Sequence, residues 1–473
     1  MHRRPFLFGV AASALGPGLV ACSAKSAMIA PAQPAAGRAE VGAFNATLNA
    51  AARNYPDQKT LAAVRAAVAS PATPAAKIDT ALAVLGGYAY LPNVLQPIPP
   101  NTPLAFPADH RLHYDTTVEW YYTTLSLPLT NGGLVSVVCT WFRKSLASSA
   151  NALGPDLARQ VFDTSIGVTL QMPGSAATHY AWPVQNFFGT DPAVRVQGSP
   201  FLFAVGAQSI SGTADVFPAK IHLEDAGDAS VARPPITIDV QCAASNPLFL
   251  QGVNGYVGNA RAATSSGDVG YYYYSWPQQA TSGVVTIAGT TYSVSGGLAW
   301  LDHQYGGAAP LTSGPASVWS GWSWFEFEFE GNRSITNFNN HGPIVGGIDN
   351  PLPGFGTYVG DGITELIGVQ LQIQGYTPSP STTASYPSAW MLAVGQVSGS
   401  LPLALQITPA AAVKQQALWM GGSIEYAEAA VAVTAVGTIG NTPVSLSGVG
   451  YCESVGFEDP ALTLARQLAF LAT

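Results

Sequence analysis

Phe325-Glu326-Phe327-Glu328-Phe329-Glu330 alternates aromatic and acidic residues without a break. Successive side chains of an extended strand point to opposite faces, so three phenyl rings share one face and three carboxylates the other. The same texture holds from about residue 109 onward. Short runs rich in Val, Thr, Tyr, Phe and Trp alternate with clusters of Gly, Asn, Asp and Pro. The 49 glycines and 36 prolines make turns frequent. Many short antiparallel strands follow, hence barrels or sandwiches. No tandem repeat of short period is present.

Residues 39–108 read differently. Val41, Phe44, Leu48 and Ala51 share one helical face, and Leu61, Val64, Ala67 and Val68 repeat the spacing. Pro71 and Pro74 break the run, Lys77 to Leu85 suits another short helix, and residues 91–108 form a Pro-rich linker. At the far end, Asp459 to Phe470 returns to a helical period, with Asp459 as N-cap and Pro460 at the first helical position. The expected organisation is therefore 1–22, an export segment; 23–38, an Ala/Pro/Ser-rich tether; 39–108, a helical prelude and linker; and two β units, 109–310 and 311–473.

The export segment has adjacent arginines, Arg3 and Arg4, before Phe6-Leu7, then an apolar stretch from Phe8 to Ala21. That apolar stretch is too short to span a bilayer permanently. The arginine pair resembles a twin-arginine signal. Leu19-Val20-Ala21-Cys22 resembles a lipobox, which implies acylation of Cys22 and anchoring in the cell envelope. Ser23 after the cysteine permits an outer-membrane destination. Charged residues are only 10% and the net charge is −8. No basic cluster follows Arg4, so nucleic acid is excluded as a partner. Cys139, Cys242 and Cys452 form no CxxC pair, and Cys139 reads as a buried thiol.

Five motifs, in order, resemble the AttH / carotenoid 1,2-hydratase family. Phe106-Pro107-Ala108-Asp109-His110 with Glu119-Trp120-Tyr121-Tyr122 is similar to its opening FP-x-DH and EWWY elements. Tyr271-Tyr272-Tyr273-Tyr274-Ser275-Trp276 is similar to its aromatic strand. Leu298-Ala299-Trp300-Leu301-Asp302-His303-Gln304-Tyr305-Gly306 is similar to its W-x-DHxWG strand. Gly321-Trp322-Ser323-Trp324-Phe325 and Gly448-Val449-Gly450-Tyr451-Cys452-Glu453 resemble the strands that open and close its second half. The resemblance implies two tandem lipocalin-like barrels and a lipophilic small-molecule ligand of isoprenoid, polyketide or phenolic type. It also implies hydratase, isomerase or cyclase chemistry, without a cofactor, or a non-catalytic carrier or attachment lipoprotein. Tyr121 and Tyr305 stand where the family has Trp, and Tyr274 stands where its hydratases have His.

On this reading Asp302 is the general acid, with Trp300, Tyr274 and Trp276 converging on it in one cavity of the first barrel. A carboxyl among aromatic rings is kept neutral, can protonate an alkene, and leaves a carbocation over π faces. Trp120, Tyr122, Tyr272, Gln304, Trp322 and Trp324 are candidates for ligand contact. The competing reading makes Asp302 a buried structural carboxylate bonded to backbone and to His110 or His303. Asp109, His110, Glu119 and His303 are expected to tie the ends of the first barrel together. His113, His179 and His222 are expected on the surface or in loops, and His341 could line the second barrel. No HExxH spacing exists, so no metal site is expected, although Asp109, His110 and His303 could be drawn together. A GxSxG nucleophile elbow is absent.

Overall fold

The computed structural model describes residues 102–114, 116, 118–145, 157, 160–181, 185–213, 215–257, 271–306, 321–341, 354–378, 385–398, 402–409, 416–420, 424–455 and 457. The expected export segment with Cys22, the tether, the helices of residues 39–90 and the helix from Asp459 to Phe470 lie outside the described residues. What is described is all-β, with two single 3-10 turns at Ala108–His110 and Ala229–Val231.

Two antiparallel sheets result. The first runs, in spatial order, Thr178–Ala181, Gln160–Gln171, Leu134–Ser145, Val118–Pro128, Gly297–Gly306, Tyr271–Ile287, Ile236–Cys242, Ala219–Asp225, Gln208–Gly212, Phe201–Val205 and Val194–Gly198. The second runs Gly321–Phe329, Arg333–His341, Gly354–Gly360, Ile363–Pro378, Ser385–Gln396, Pro402–Pro409, Ile424–Ile439 and Thr442–Val455, and the last strand pairs back onto the first. These eight strands form a closed barrel.

The expectation of two closed barrels therefore holds for the second sheet and is corrected for the first. Its path ends at Thr178–Ala181 and Val194–Gly198, and among the described residues no ladder joins those ends. The sheet curls into a half-barrel that side chains close. Trp141 donates its Nε1–H to the Gln208 carbonyl at 3.2 Å, and the rings of Tyr121 and Phe162 meet Phe203 at 5.6 and 6.0 Å. A ladder closes only if tilted strands stay paired through the stagger. The strands Val194–Gly198, Phe201–Val205 and Gln208–Gly212 have five residues each and run out first.

The alternation of the Phe/Glu strand holds from Phe325 to Phe329, where the strand ends, and Glu330 lies exposed in the turn that follows. Phe325, Phe327 and Phe329 point inward against Ile335, Trp390, Leu392 and Leu405. Each such ring stabilises by about 1.5–3 kcal/mol on full burial. Glu326 and Glu328 on the other face do not meet water: they are 1% and 5% exposed, because that face lies against the half-barrel. Direct bonds cross between the sheets. Thr124 Oγ1 donates to Glu326 Oε1 at 2.9 Å. Gln278 sits at a bulge with φ +48°, and its backbone N–H donates to Glu328 Oε1 at 3.0 Å. Its side-chain amide reaches the carbonyls of Phe329 and Arg333 at 3.2 and 2.5 Å.

Candidate functional site between the two sheets

Strand register assigns each candidate residue to a face. Tyr122 lies opposite Asp302, Trp120 opposite Gln304 and Thr124 opposite Trp300. On the other flank Ser275 lies opposite Asp302 and Tyr273 opposite Gln304. Directly paired residues share a face. Trp120, Tyr122, Tyr273, Ser275, Trp300, Asp302 and Gln304 therefore face the barrel. Glu119, Tyr121, Tyr272, Tyr274, His303 and Tyr305 face the inside of the half-barrel, where Trp276 also packs.

This corrects the expected cavity. Trp300 stays beside Asp302, but Tyr274 and Trp276 lie on the opposite face, as does the ligand-contact candidate Tyr272. Asp302 is not inside the first unit, whose interior is filled with side chains. Its neighbours on the aromatic strand are Tyr273 and Ser275, one residue out of phase with those expected. The other ligand-contact candidates do assemble. Tyr122 and Trp324 are buried between the sheets with Tyr451, while Trp120 and Trp322 pack on them half-buried. Gln304 is half-buried beside them.

Asp302 is 3% exposed and accepts three side-chain hydrogen bonds. Ser275 Oγ and Trp300 Nε1 donate to Oδ1 at 2.5 and 2.8 Å, and the Tyr273 hydroxyl donates to Oδ2 at 2.7 Å. None comes from His or backbone. Burial raises its pKa to about 7 against these donors, and the charge of Glu453 adds to the rise. The barrel supplies the roof. Trp324 Nε1 donates to the Tyr273 hydroxyl at 3.1 Å, Trp322 Nε1 to Glu453 Oε1 at 2.5 Å, and the Tyr122 hydroxyl to Glu428 Oε2 at 3.1 Å.

Four further carboxyls share this face: Glu326, Glu328, Glu428 and Glu453. Burial drives all four upward, Glu328 and Glu453 to about 7 and Glu326 and Glu428 well above the usual carboxylate range, with like charge from Glu328 acting on Glu326 and from Glu453 on Glu428. Among the described residues no Lys or Arg is ion-paired with any of the five acids. Glu326 Oε2, Glu428 Oε1 and the Tyr451 hydroxyl are buried without a hydrogen-bond partner. Glu326, Glu328 and Tyr451 line a small cleft with Thr124, Ser126 and Ser136. Two residues along from Asp302, level with Gln304, half-buried rings form a rim: Trp120 meets Phe142 and Tyr271 at 5.5 and 5.8 Å, and Trp322 stacks on Phe338 at 5.9 Å. The face thus offers apolar rings at its edge and, beneath them, acids that burial pushes toward the neutral form.

The inner face carries a separate network. Glu119 Oε1 accepts from His113 Nδ1 and His303 Nε2, both at 2.8 Å. Glu119 Oε2 accepts from the His113 backbone N–H at 2.6 Å and from Arg143 Nε at 3.2 Å. Burial opposes the Glu119 charge, but His113, His303 and Arg143 overcome it and hold the carboxyl well below its usual range. Burial likewise opposes His113, yet Glu119 and Asp109 push it up to about 9. The Tyr274 hydroxyl lies 2.5 Å from His303 Nδ1, 3.0 Å from His110 Nδ1 and 2.5 Å from the Asp109 carbonyl. Asp109, His110, Glu119 and His303 thus meet in one network that ties the loop around Ala108–His110 to the sheet.

His113, expected on the surface or in a loop, does lie in a loop, but it belongs to that network and is only 19% exposed. His179 and His222 lie on strands, bonded to Thr169 and Asp239, and His222 is at the surface as expected, 39% exposed. His341 ends a barrel strand. His113, Glu119 and His303 bring ligand atoms within 4.8 Å of one another. A metal there would have to displace the protons that both rings donate to Glu119. The trio reads as an ion-pair network. Sequence reasoning missed Tyr273, Ser275, Gln251, Glu428 and Tyr451. The first two were within reach of a register argument; the others depend on the docking of the sheets.

Comparison with known proteins bears on the family and the fold. The family model described as AttH-like matches residues 97–457. The fold is similar to that of a candidate AttH of Nitrosomonas europaea, with 22% identity and a TM-score of 0.60 over 77% of this chain and 100% of that one. It is also similar to kievitone hydratase from Nectria haematococca, with 15% identity and a TM-score of 0.51 over 77% of this chain and 96% of that one. No protein of curated function matches the sequence.

Proposed function

We propose, from the premise that this chain belongs to the AttH-like family, that it takes up an apolar small molecule at the aromatic rim between its sheets and adds water to, or isomerises, a carbon–carbon double bond there. One observation carries the reading: Asp302 is a buried acid, raised to about 7, directly beneath aromatic rings. An acid that stays protonated near neutral pH can do general-acid work. The Oδ2–H proton passes to one alkene carbon, and the other carbon becomes a cation facing Tyr122, Trp300 and Trp324. Cation–π attraction there amounts to about 2 kcal/mol or more when desolvated. Water bonds to the cation, and the protonated alcohol returns its proton to the Asp302 carboxylate. The net change is addition of water; loss of a neighbouring C–H proton to the same carboxylate gives isomerisation instead. The similarity in fold to a hydratase supports this choice over other acid chemistry.

A non-catalytic carrier is the second reading, and the three donors on Asp302 favour it, since they stabilise the carboxylate. Asp302→Asn separates the two. Lipophiles that co-purify with the protein, identified by mass spectrometry, serve as probes. Under the enzyme reading, the variant loses turnover of an alkene probe and keeps its affinity within a few-fold, the pattern of an interaction made in the transition state. Equal turnover by variant and parent would overturn Asp302 as the acid. Export with acylation at Cys22 is part of the proposal: Cys22→Ser is expected to move the protein from the membrane fraction to the soluble periplasmic fraction. An unchanged membrane fraction would reject the anchor.

A further inference from the structure

We propose that Gln251 and Trp324 are positioning residues that decide which oxygen of Asp302 carries its proton, so that docking of the barrel aims the acid. The inference deepens the reading of Asp302 as an acid, but its geometry stands without it. Gln251 is 2% exposed and belongs to the first sheet's unit. Its Oε1 accepts from two barrel hydroxyls, Thr336 Oγ1 at 3.0 Å and Thr357 Oγ1 at 2.7 Å. That fixes the amide with oxygen toward the barrel and nitrogen toward Ser275, to whose Oγ it donates at 3.0 Å. Ser275 has one hydrogen. With its oxygen accepting from Gln251, that hydrogen goes to Asp302 Oδ1 at 2.5 Å.

The other side follows the same logic. An indole N–H only donates, so Trp324 of the barrel obliges the Tyr273 oxygen to accept at 3.1 Å. The Tyr273 hydrogen is left to donate to Asp302 Oδ2 at 2.7 Å. Trp300, a second obligate donor, takes Oδ1 at 2.8 Å. Oδ1 therefore receives two donors and Oδ2 one. A carboxylate oxygen has about two acceptor positions, so the acidic proton has room on Oδ2 alone. Without Trp324, Tyr273 could turn its hydrogen away and accept from Asp302. The acid proton would then be held in an internal bond rather than be available to a ligand.

Both oriented groups are barrel-directed, so an undocked barrel leaves the acid unaimed. The charged and titratable groups that face Asp302 are Glu326 and Glu453 from the barrel and Tyr122 and Tyr273 from its own sheet.

The test is an infrared titration of the full-length protein, with the Asp302 carboxyl band identified by its loss in Asp302→Asn. Gln251→Leu and Trp324→Phe are each expected to raise the Asp302 midpoint by about one pH unit, since each frees a donor from its duty to the carboxylate. In a Ser275→Ala background, Gln251→Leu is expected to add nothing further. In a Tyr273→Phe background, Trp324→Phe is expected to add nothing. An unmoved midpoint in Gln251→Leu, or the same shift with and without Ser275, overturns the relay. Should Gln251→Leu fail to fold, Thr336→Val with Thr357→Val loosens the amide from the barrel side and is expected to shift the midpoint the same way. No shift there also overturns it. Absence of turnover would remove the proposed function and leave this titration result standing, so the two can fail separately.

Discussion

Two buried glutamates show how environment decides what one residue type does. Glu119 is fully buried and surrounded by donors, with Arg143 beside it equally buried. Replacing it with Gln leaves the guanidinium inside without a counter-charge. Breaking a buried pair in this way costs about 3–5 kcal/mol. Glu119→Gln is therefore expected to lower the urea midpoint strongly with an unchanged slope. A loss under about 1 kcal/mol would mean that the network is dispensable. Among the described residues Glu326 has no cation beside it, and one of its oxygens is unpartnered, so the same substitution there removes an acid whose charged form burial disfavours.

At the scale of the element, the strand Gly321–Phe329 carries both kinds of burial at once. Phe327→Ala empties a site in the barrel core and is expected to cost about 3–5 kcal/mol. Glu326→Gln, one residue away on the other face, is expected to be neutral or stabilising above pH 7. Paired denaturation curves at pH 8 check the contrast, and equal losses would contradict it. This strand was legible in the sequence because its alternation is unbroken. The destination of its acidic face was not, because a second sheet rather than water covers it. Tyr271-Tyr272-Tyr273-Tyr274 was legible as an aromatic strand, yet four identical residues hide which pair faces which way. The pairing Ser275 opposite Asp302 settles that. Trp120, Tyr122, Gln304, Trp322 and Trp324 could be found from motif strands. Gln251 could not: it lies in an ordinary loop, and its partners Thr336 and Thr357 come from the barrel.

For the whole molecule, the five acids between the sheets make stability depend on pH. Each has a folded pKa above its unfolded one, so the folded state holds more protons and stability falls as pH rises from about 4 toward 7. His113 acts in the same direction: its stabilisation is complete below the unfolded imidazole value and is lost as pH rises through about 9. Glu119 acts oppositely, and its contribution is lost as pH falls below the ordinary carboxylate range. Melting temperature is therefore expected to peak in mildly acidic solution, at about pH 5. Glu428→Gln with Glu453→Gln should flatten the decline between pH 5 and 8. A peak above pH 8 in the parent protein would contradict the assignment.

The order of pairing has a consequence for how the chain folds. In each unit the first strand pairs with the last: Val118–Pro128 with Gly297–Gly306, and Gly321–Phe329 with Thr442–Val455. Neither unit can complete its sheet until its final strand has been synthesised, and contacts of such long sequence separation form slowly. Asp302 lies on the last strand of the half-barrel and Glu453 on the last strand of the barrel. The acid cluster is thus complete only when the final strand of each unit is in place, because Asp302 and Glu453 are carried by those strands.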